Sequence, residues 1–194
     1  VLSPMSKLNS LKPRISVVLP CYQSESTLGE SLTSILEQSY SDFEVLVIDN
    51  CSTDGTLGVV ETFQDPRVRL IRNFKNLGLV ASLNIGLQEA RGEFIARQDA
   101  DDWSDPRRFA EQIAFLERNP QVGILGTRAE KWGNGNSEIF RKKNPVVVYF
   151  STYPIDQTIS DICEPQASVI RKATLNVPGL AKEHGIFFEG SGLI

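Results

Sequence analysis

The chain has 194 residues, 41% hydrophobic and 23% charged, enough to bury one core of ordinary size in a soluble globular domain. Its net charge of −4 excludes the clustered cationic surface on which affinity for nucleic acid rests, and the short basic runs at Arg107-Arg108 and Arg141 to Lys143 read as solvated faces. No apolar run approaches the roughly 20 residues of a membrane-spanning helix. Three cysteines, Cys21, Cys51 and Cys163, stand at wide, unpatterned spacing, so neither a disulfide framework nor a zinc site is indicated and a reducing, cytoplasmic setting is expected.

Residues 1–14 are polar and carry Pro4 and Pro13, the composition of a flexible lead-in. Ile15 to Leu19 is a β-branched run ended by Pro20, which predicts a buried strand passing into a loop. Thr27 and Glu30 have capping-box spacing, and Leu28, Leu32, Ile35 and Leu36 then recur on one helical face. Phe43 to Ile48 predicts a second buried strand, closed by a polar turn from Asp49 to Gly55. Leu57, Val60 and Phe63 fit a short helix that Asp65-Pro66 ends, and Val68 to Ile71 a third strand. After a loop over Asn73 to Gly78, Leu79, Leu83, Leu87 and Ala90 keep helical spacing, with Gly92 as the expected C-cap residue and Glu93 to Ala96 as a fourth strand. Asp105-Pro106 predicts a cap followed by proline at the first helical position, with Phe109, Ile113 and Leu116 on the buried side. Val122 to Leu125 is a fifth strand, the start of a hairpin expected to run from Gly123 to Phe140. Val146 to Phe150 and Ala167 to Ile170 read as short strands, the second before a helical turn at Lys172 to Asn176.

The fourth strand runs without a break into Asp99-Ala100-Asp101-Asp102. Residues two apart on an extended chain project to one side, so Asp99 and Asp101 are expected to crowd their charges together. A cation relieves that crowding, and an oxygen-only pair with no His or Cys nearby suits Mg2+ or Mn2+; a helix cap or a solvated turn is the structural alternative. Strand and helix alternate four times, the signature of an α/β fold with a mostly parallel sheet and helices on both faces. Ligands of such sheets bind beyond the carboxyl ends of the strands. Pro20 to Tyr22, Asp49-Asn50 and Asp99 to Asp101 all fall at that edge though far apart in sequence. Neither a Gly-x-Gly-x-x-Gly run nor a phosphate-loop lysine motif is present, which disfavours a dinucleotide oxidoreductase or a phosphate-loop ATPase.

Ile15 to Glu25, Val47 to Gly55, Asn76 to Gly78 with Asn84 to Gly86, and Asp99 to Asp102, in this order, resemble the nucleotide-sugar half of the family-two inverting glycosyltransferases of GT-A fold. The resemblance covers roughly Arg14 to Arg128, and Gln166 to Lys172 is similar to the acceptor-side segment of the same family. It implies a Rossmann-like sheet whose residues 15–128 bind the nucleotide sugar, with 129–194 an acceptor-side portion of the same domain that is expected to be cut short. It further implies a UDP-sugar donor, with Asp49 accepting a hydrogen bond from the uracil ring and Tyr22 offering a flat face to the base. Pro20 would shape that pocket, with Glu25 an acidic position beside it and Asn76 in the donor site. Asp99 and Asp101 would hold Mn2+ or Mg2+ and the donor's sugar-phosphate. A hydroxyl of a carbohydrate or lipid-linked acceptor would attack with inversion, in the assembly of a bacterial surface polysaccharide. Membrane association is left to segments outside the sequence.

Each assignment has a structural alternative. Tyr22 could be a core aromatic, Asp49 a cap of the following helix, and Asn76 a loop former. Arg72 and Arg97 could contact phosphate or form surface ion pairs. Cys21 and Cys51 read as small buried residues, because no histidine lies near to activate a thiol, and the sole histidine, His184, reads as exposed. An inverting transfer needs a general base, which in this family comes from a downstream acidic pair; none occurs, and Glu189, with Glu183 near it, is the candidate. The missing pair favours an alternative, a nucleotide-sugar-binding or interaction domain of the same fold that does not catalyse. A sugar nucleotidyltransferase is a third reading, disfavoured because Pro20 to Ser24 is not a glycine-rich basic loop.

Overall fold

Seven consecutive buried residues form β1 (Ile15–Cys21) and seven more form β2 (Phe43–Asp49). A strand can be apolar on both faces only where both faces are covered, which is why these runs do not alternate with polar residues. The computed structural model describes residues 12–126, 148–151 and 169–171. β1 pairs in parallel with β2 on one side and with β4 (Phe94–Arg97) on the other, and β2 pairs in parallel with β3 (Val68–Arg72). The sheet has the order β3-β2-β1-β4-β7-β5-β6. β7 (Val169–Arg171) runs antiparallel to both β4 and β5 (Val122–Gly126), and β6 (Val148–Ser151) lies antiparallel to β5 at the outer edge. The mostly parallel α/β sheet read from the sequence is thus present, with antiparallel strands at one side.

Successive residues of β1 face opposite layers. Val17 and Leu19 meet α1 (Leu28–Leu36), α2 (Thr56–Glu61) and α4 (Arg108–Arg118) through Leu32, Ile35, Val60, Phe109 and Ile113. Val18 meets the other layer, where α3 (Leu79–Glu89) packs Leu83 and Leu87 against Leu46, Ile48 and Ile95. The approach of α3 is close: a Cβ on Gly86 would stand 2.3 Å from Val18 Cγ1.

Several expected local features are built differently. The capping box does not form, since Thr27 stands at the N-cap of α1 without a side-chain cap bond and the amides of Thr27 and Leu28 bond instead to the Ser24 carbonyl. Gly92 is not a C-cap: α3 ends at Glu89 with Ala90 already extended. The glycine is needed because a Cβ there would lie 2.6 Å from the Ser16 amide nitrogen. Pro106 is not the first helical residue; α4 begins at Arg108, and the Asp105 carboxylate accepts from the Arg107 amide at 2.8 Å in a turn ahead of the helix. Arg107 is exposed as expected, whereas Arg108 is buried, which overturns the reading of the pair as a solvated face. The described partners of β5 are β6 and β7; the rest of the expected hairpin, to Phe140, and the helical turn at 172–176 lie outside the described residues.

Candidate functional site

The strand order reverses between β1 and β4, so the loops after these two strands diverge and leave a crevice at their carboxyl ends. A cleft of about 430 Å³ opens there, lined by Pro20, Tyr22 and Ser24 after β1 and by Asp99 and Asp101 after β4. Tyr22 is 48% exposed and lines the cleft, so it is not a core residue. The two carboxylates reach the cleft by a route different from strand alternation. β4 stops at Arg97, and Ala100 and Asp101 form a turn that the Asp102 amide closes by donating to the Asp99 carbonyl at 3.2 Å.

The pair is chemically unequal. Asp99 is bound by both arms of the Arg97 guanidinium, Nε to Oδ1 at 3.0 Å and Nη2 to Oδ2 at 3.1 Å. Arg97 therefore takes the ion-pair role of the two weighed for it. Asp101 is exposed and makes no hydrogen bond or ion pair with any described residue. Mg2+ and Mn2+ are held by one or two carboxylates together with substrate phosphates. An exposed, unengaged Asp101 beside Asp99 fits that donor set, and among the described residues no group of three His, Cys, Asp or Glu side chains forms a complete protein cage.

Beneath the turn lies a buried polar layer that the sequence reading missed. Gln98 donates to the Asp102 carbonyl at 2.8 Å and to Ser31 Oγ at 3.2 Å, and accepts from Ser104 Oγ at 2.7 Å. Ser31 Oγ donates to the Asp99 carbonyl at 2.8 Å, and Ser34 Oγ accepts from the Ser104 amide at 3.1 Å. Arg108 completes the layer from α4. One signal was available: Ser31 and Ser34 lie among the leucines of the buried face of α1, where a polar residue implies a partner.

The remaining expected site residues stand apart from this cleft. Asp49 is fully buried at the end of β2, opposite Cys21 on one side and Arg72 on the other. Its Oδ1 accepts from the Ser52 amide at 3.1 Å; its Oδ2 accepts no hydrogen bond, although Arg72 Nε lies 3.5 Å away. The N-cap residue of α2 is Gly55, without a side-chain cap bond, and the Thr56 amide and hydroxyl donate to Asp54 Oδ1, so Asp49 is not the helix cap. The Thr56 hydroxyl bond is the main cause that holds the Asp54 carboxyl below its ordinary value. Asn76 Oδ1 accepts from Asn50 Nδ2 at 2.8 Å and the Gly78 amide at 2.9 Å, tying the loop before α3 to the end of β2. Glu25 accepts from the Gly55 amide at 3.0 Å and joins the loops after β1 and β2. Gln23 does the same from a left-handed backbone (φ 53°), its Oε1 accepting from the Thr53 amide at 2.8 Å. Such strain persists where surrounding bonds fix it, and it gathers at functional edges.

Burial first, and then the charges of Asp49 and Asp54, push the Cys21 thiol up to about 12, so it stays protonated at neutral pH and is no nucleophile. Cys51 is only half-buried, with φ 64°. Glu183, His184 and Glu189 lie outside the described residues.

The family model described as glycosyl transferase family 2 matches residues 16–176. The chain belongs to glycosyl transferase family 2. It is 46% identical over 118 residues to EpsE of Bacillus subtilis (strain 168), a protein named as a glycosyltransferase, with 59% of this chain and 42% of EpsE covered. It is 35% identical over 105 residues to the Escherichia coli UDP-Glc:alpha-D-GlcNAc-diphosphoundecaprenol beta-1,3-glucosyltransferase WfgD, with 54% of this chain and 42% of WfgD covered. The mannosyltransferase PcManGT from Pyrobaculum calidifontis, solved in complex with GDP-Man and Mn2+, superposes with a TM-score of 0.56 at 32% identity. That match covers 63% of this chain and 37% of PcManGT. The chain thus spans less than half the length of these relatives.

Proposed function

We propose that this chain carries the donor site of a glycosyltransferase that moves a sugar from a nucleotide diphosphate, UDP in the first instance, to an acceptor hydroxyl. The observation that carries the reading is the convergence of Tyr22 with Asp99 and Asp101 in one cleft at the strand-order reversal. An aromatic face suits a nucleobase, and paired carboxylates suit a cation shared with a diphosphate. WfgD's name gives a UDP donor and PcManGT is solved with GDP-Man, so the family background supports a nucleoside diphosphate of either base.

On this reading the base lies against Tyr22, and Pro20 bounds its pocket. Asp49 Oδ2, a buried acceptor without a donor, takes a hydrogen bond from an N–H of the base once Arg72 gives way. Asp101, with Asp99 beside it, would hold Mn2+ or Mg2+, which when bound neutralises charge on the departing diphosphate. A carboxylate, for which Glu189 is the candidate, takes the acceptor proton, and attack from the opposite face inverts the anomeric centre. The acceptor is a carbohydrate or lipid-linked sugar of a surface polysaccharide, handled at the cytoplasmic face of the membrane; WfgD's name carries such a diphosphoundecaprenol acceptor.

Calorimetric titration of UDP into the chain with Mn2+, with Mg2+ and with a chelator tests this, repeated on Asp101→Ala and Asp49→Ala. Metal-dependent binding that Asp101→Ala reduces by at least about tenfold, roughly 1.4 kcal/mol, is expected, with a smaller loss for Asp49→Ala. Binding of GDP in place of UDP would move the donor assignment to the other base. Failure of folded protein to bind either nucleotide under all three conditions would overturn it.

A further inference from the structure

Arg108 is a fully charged side chain in the interior, and its burial lowers its pKa to about 10, against the opposing influence of Asp102 and Asp99. It therefore remains cationic at neutral pH. A well-packed apolar residue in such a place is often as stabilising or more so, so the charge calls for a positional explanation. The guanidinium supplies one. Nη1 donates to Gln98 Oε1 and to Ser104 Oγ, each at 2.8 Å, Nη2 donates to the Arg97 carbonyl at 2.8 Å, and Nε donates to Gln112 Oε1 at 3.2 Å. Arg97 and Gln98 precede the acidic turn and Ser104 follows it, so one planar group holds both ends of the segment from Asp99 to Trp103. The inward side of the turn is thus held through backbone and amide groups, while Asp101, Asp102 and Trp103 are exposed.

We propose that Arg108 is the positioning residue of the acidic turn, clamping its two ends from below so that Asp99 and Asp101 meet a divalent cation with their geometry already set. This rests on the donor-site reading above. Fixing the ligands in advance matters because misplacement by about 1 Å at such a site can weaken it by orders of magnitude. Lysine carries the charge but not the fork: it cannot hold the Arg97 carbonyl, Gln98 and Ser104 together in one plane. Arg108→Lys therefore separates positioning from charge.

Two measurements on the full chain decide the matter: hydrogen exchange of the peptide spanning Gln98 to Ser104, and calorimetric titration of MnCl2 in the presence of UDP. Arg108→Lys is expected to speed exchange at Asp102 and Ser104 by about tenfold or more and to weaken Mn2+ binding by a similar factor. Ser104→Ala, which removes one arm of the clamp, should act in the same direction and serves if the lysine variant does not fold. Glu44→Gln, at the opposite end of the sheet, loosens the fold without touching the turn and should leave both readouts near wild type. Unchanged exchange in Arg108→Lys would overturn the proposal, as would equal acceleration in Glu44→Gln or wild-type Mn2+ affinity despite a loosened turn. If the wild-type chain binds no Mn2+, the metal reading fails, and the exchange comparison alone decides whether Arg108 orders the turn.

Discussion

Glu44, the second residue of β2, is almost wholly buried, and four donor groups converge on it: Ser16 Oγ at 2.7 Å, the Arg91 amide at 3.0 Å, the Arg91 guanidinium and Arg69. Burial pushes its pKa up, but the bonds from Arg91, Ser16 and Arg69 outweigh this and hold the carboxyl below its ordinary 4.5. A carboxyl depressed in the folded state contributes stability that is present above its unfolded pKa and is lost as pH falls through the folded value. Glu44→Gln should therefore cost about 1–3 kcal/mol at pH 7 and flatten the loss of stability below about pH 4.5. Urea unfolding of both proteins across pH 3 to 7 checks this, and parallel curves would refute it. At this scale the sequence reading reached what is local. Pro20, Tyr22, Asp99 and Asp101 stand at strand ends inside short motifs, and they share the cleft. Gln98, Ser31 and Arg108 escaped because their bonds join residues 67 apart, as between Gln98 and Ser31, or cross from one helix to another strand end. Periodicity tells which face a residue occupies and nothing of the partner it finds there.

Helices and strands were largely legible as elements, because each buried face repeats at its own period, and their ends were not. Capping signals such as Thr27-x-x-Glu30 and Asp105-Pro106 are only local offers, and other partners took them. Gln38 donates to the Asp105 carbonyl at 2.7 Å and accepts from the Phe109 amide at 3.0 Å, so the segment just after α1 fixes the start of α4 from outside. Glycine had a similar fate: Gly86 and Gly92 serve the approach of α3 and of the following turn to β1. Gly86→Ala offers helix propensity but places a methyl inside Val18, and the contact is side chain on side chain along a packed sheet. The overpacking penalty of about 1–3 kcal/mol should exceed the helix gain of at most about 1 kcal/mol. A fall in melting temperature of about 2–4 °C per kcal/mol is the expected reading for a domain of this size. A melting temperature above wild type would mean that α3 rides farther from β1 than 2.3 Å allows.

The parallel pairing of the strands followed from alternation and short connections, but their order, with β1 between β2 and β4 and β7 inserted between β4 and β5, did not. Val169 meets Ala96 and Leu125 across more than forty residues of chain, and no local pattern encodes such a pairing. The consequence for function lies in the seam. The aromatic side of the cleft belongs to β1, whose loop is tied to β2 through Gln23 and Glu25, while the acidic side belongs to β4 and is tied to α1 and α4. A nucleotide diphosphate must touch both, with its base on one and its phosphates on the other. UDP and Mn2+ together should then stabilise the fold by more than the sum of their separate effects, since each alone engages one side. At concentrations of about 100 times Kd, linkage predicts about 2.7 kcal/mol, or a rise of about 5–10 °C in melting temperature. Asp101→Ala should reduce the rise to that of UDP alone, and Tyr22→Ala to that of Mn2+ alone. Additive shifts in the wild-type chain would mean that base and cation are bound at independent places and that the cleft between β1 and β4 is not one donor site.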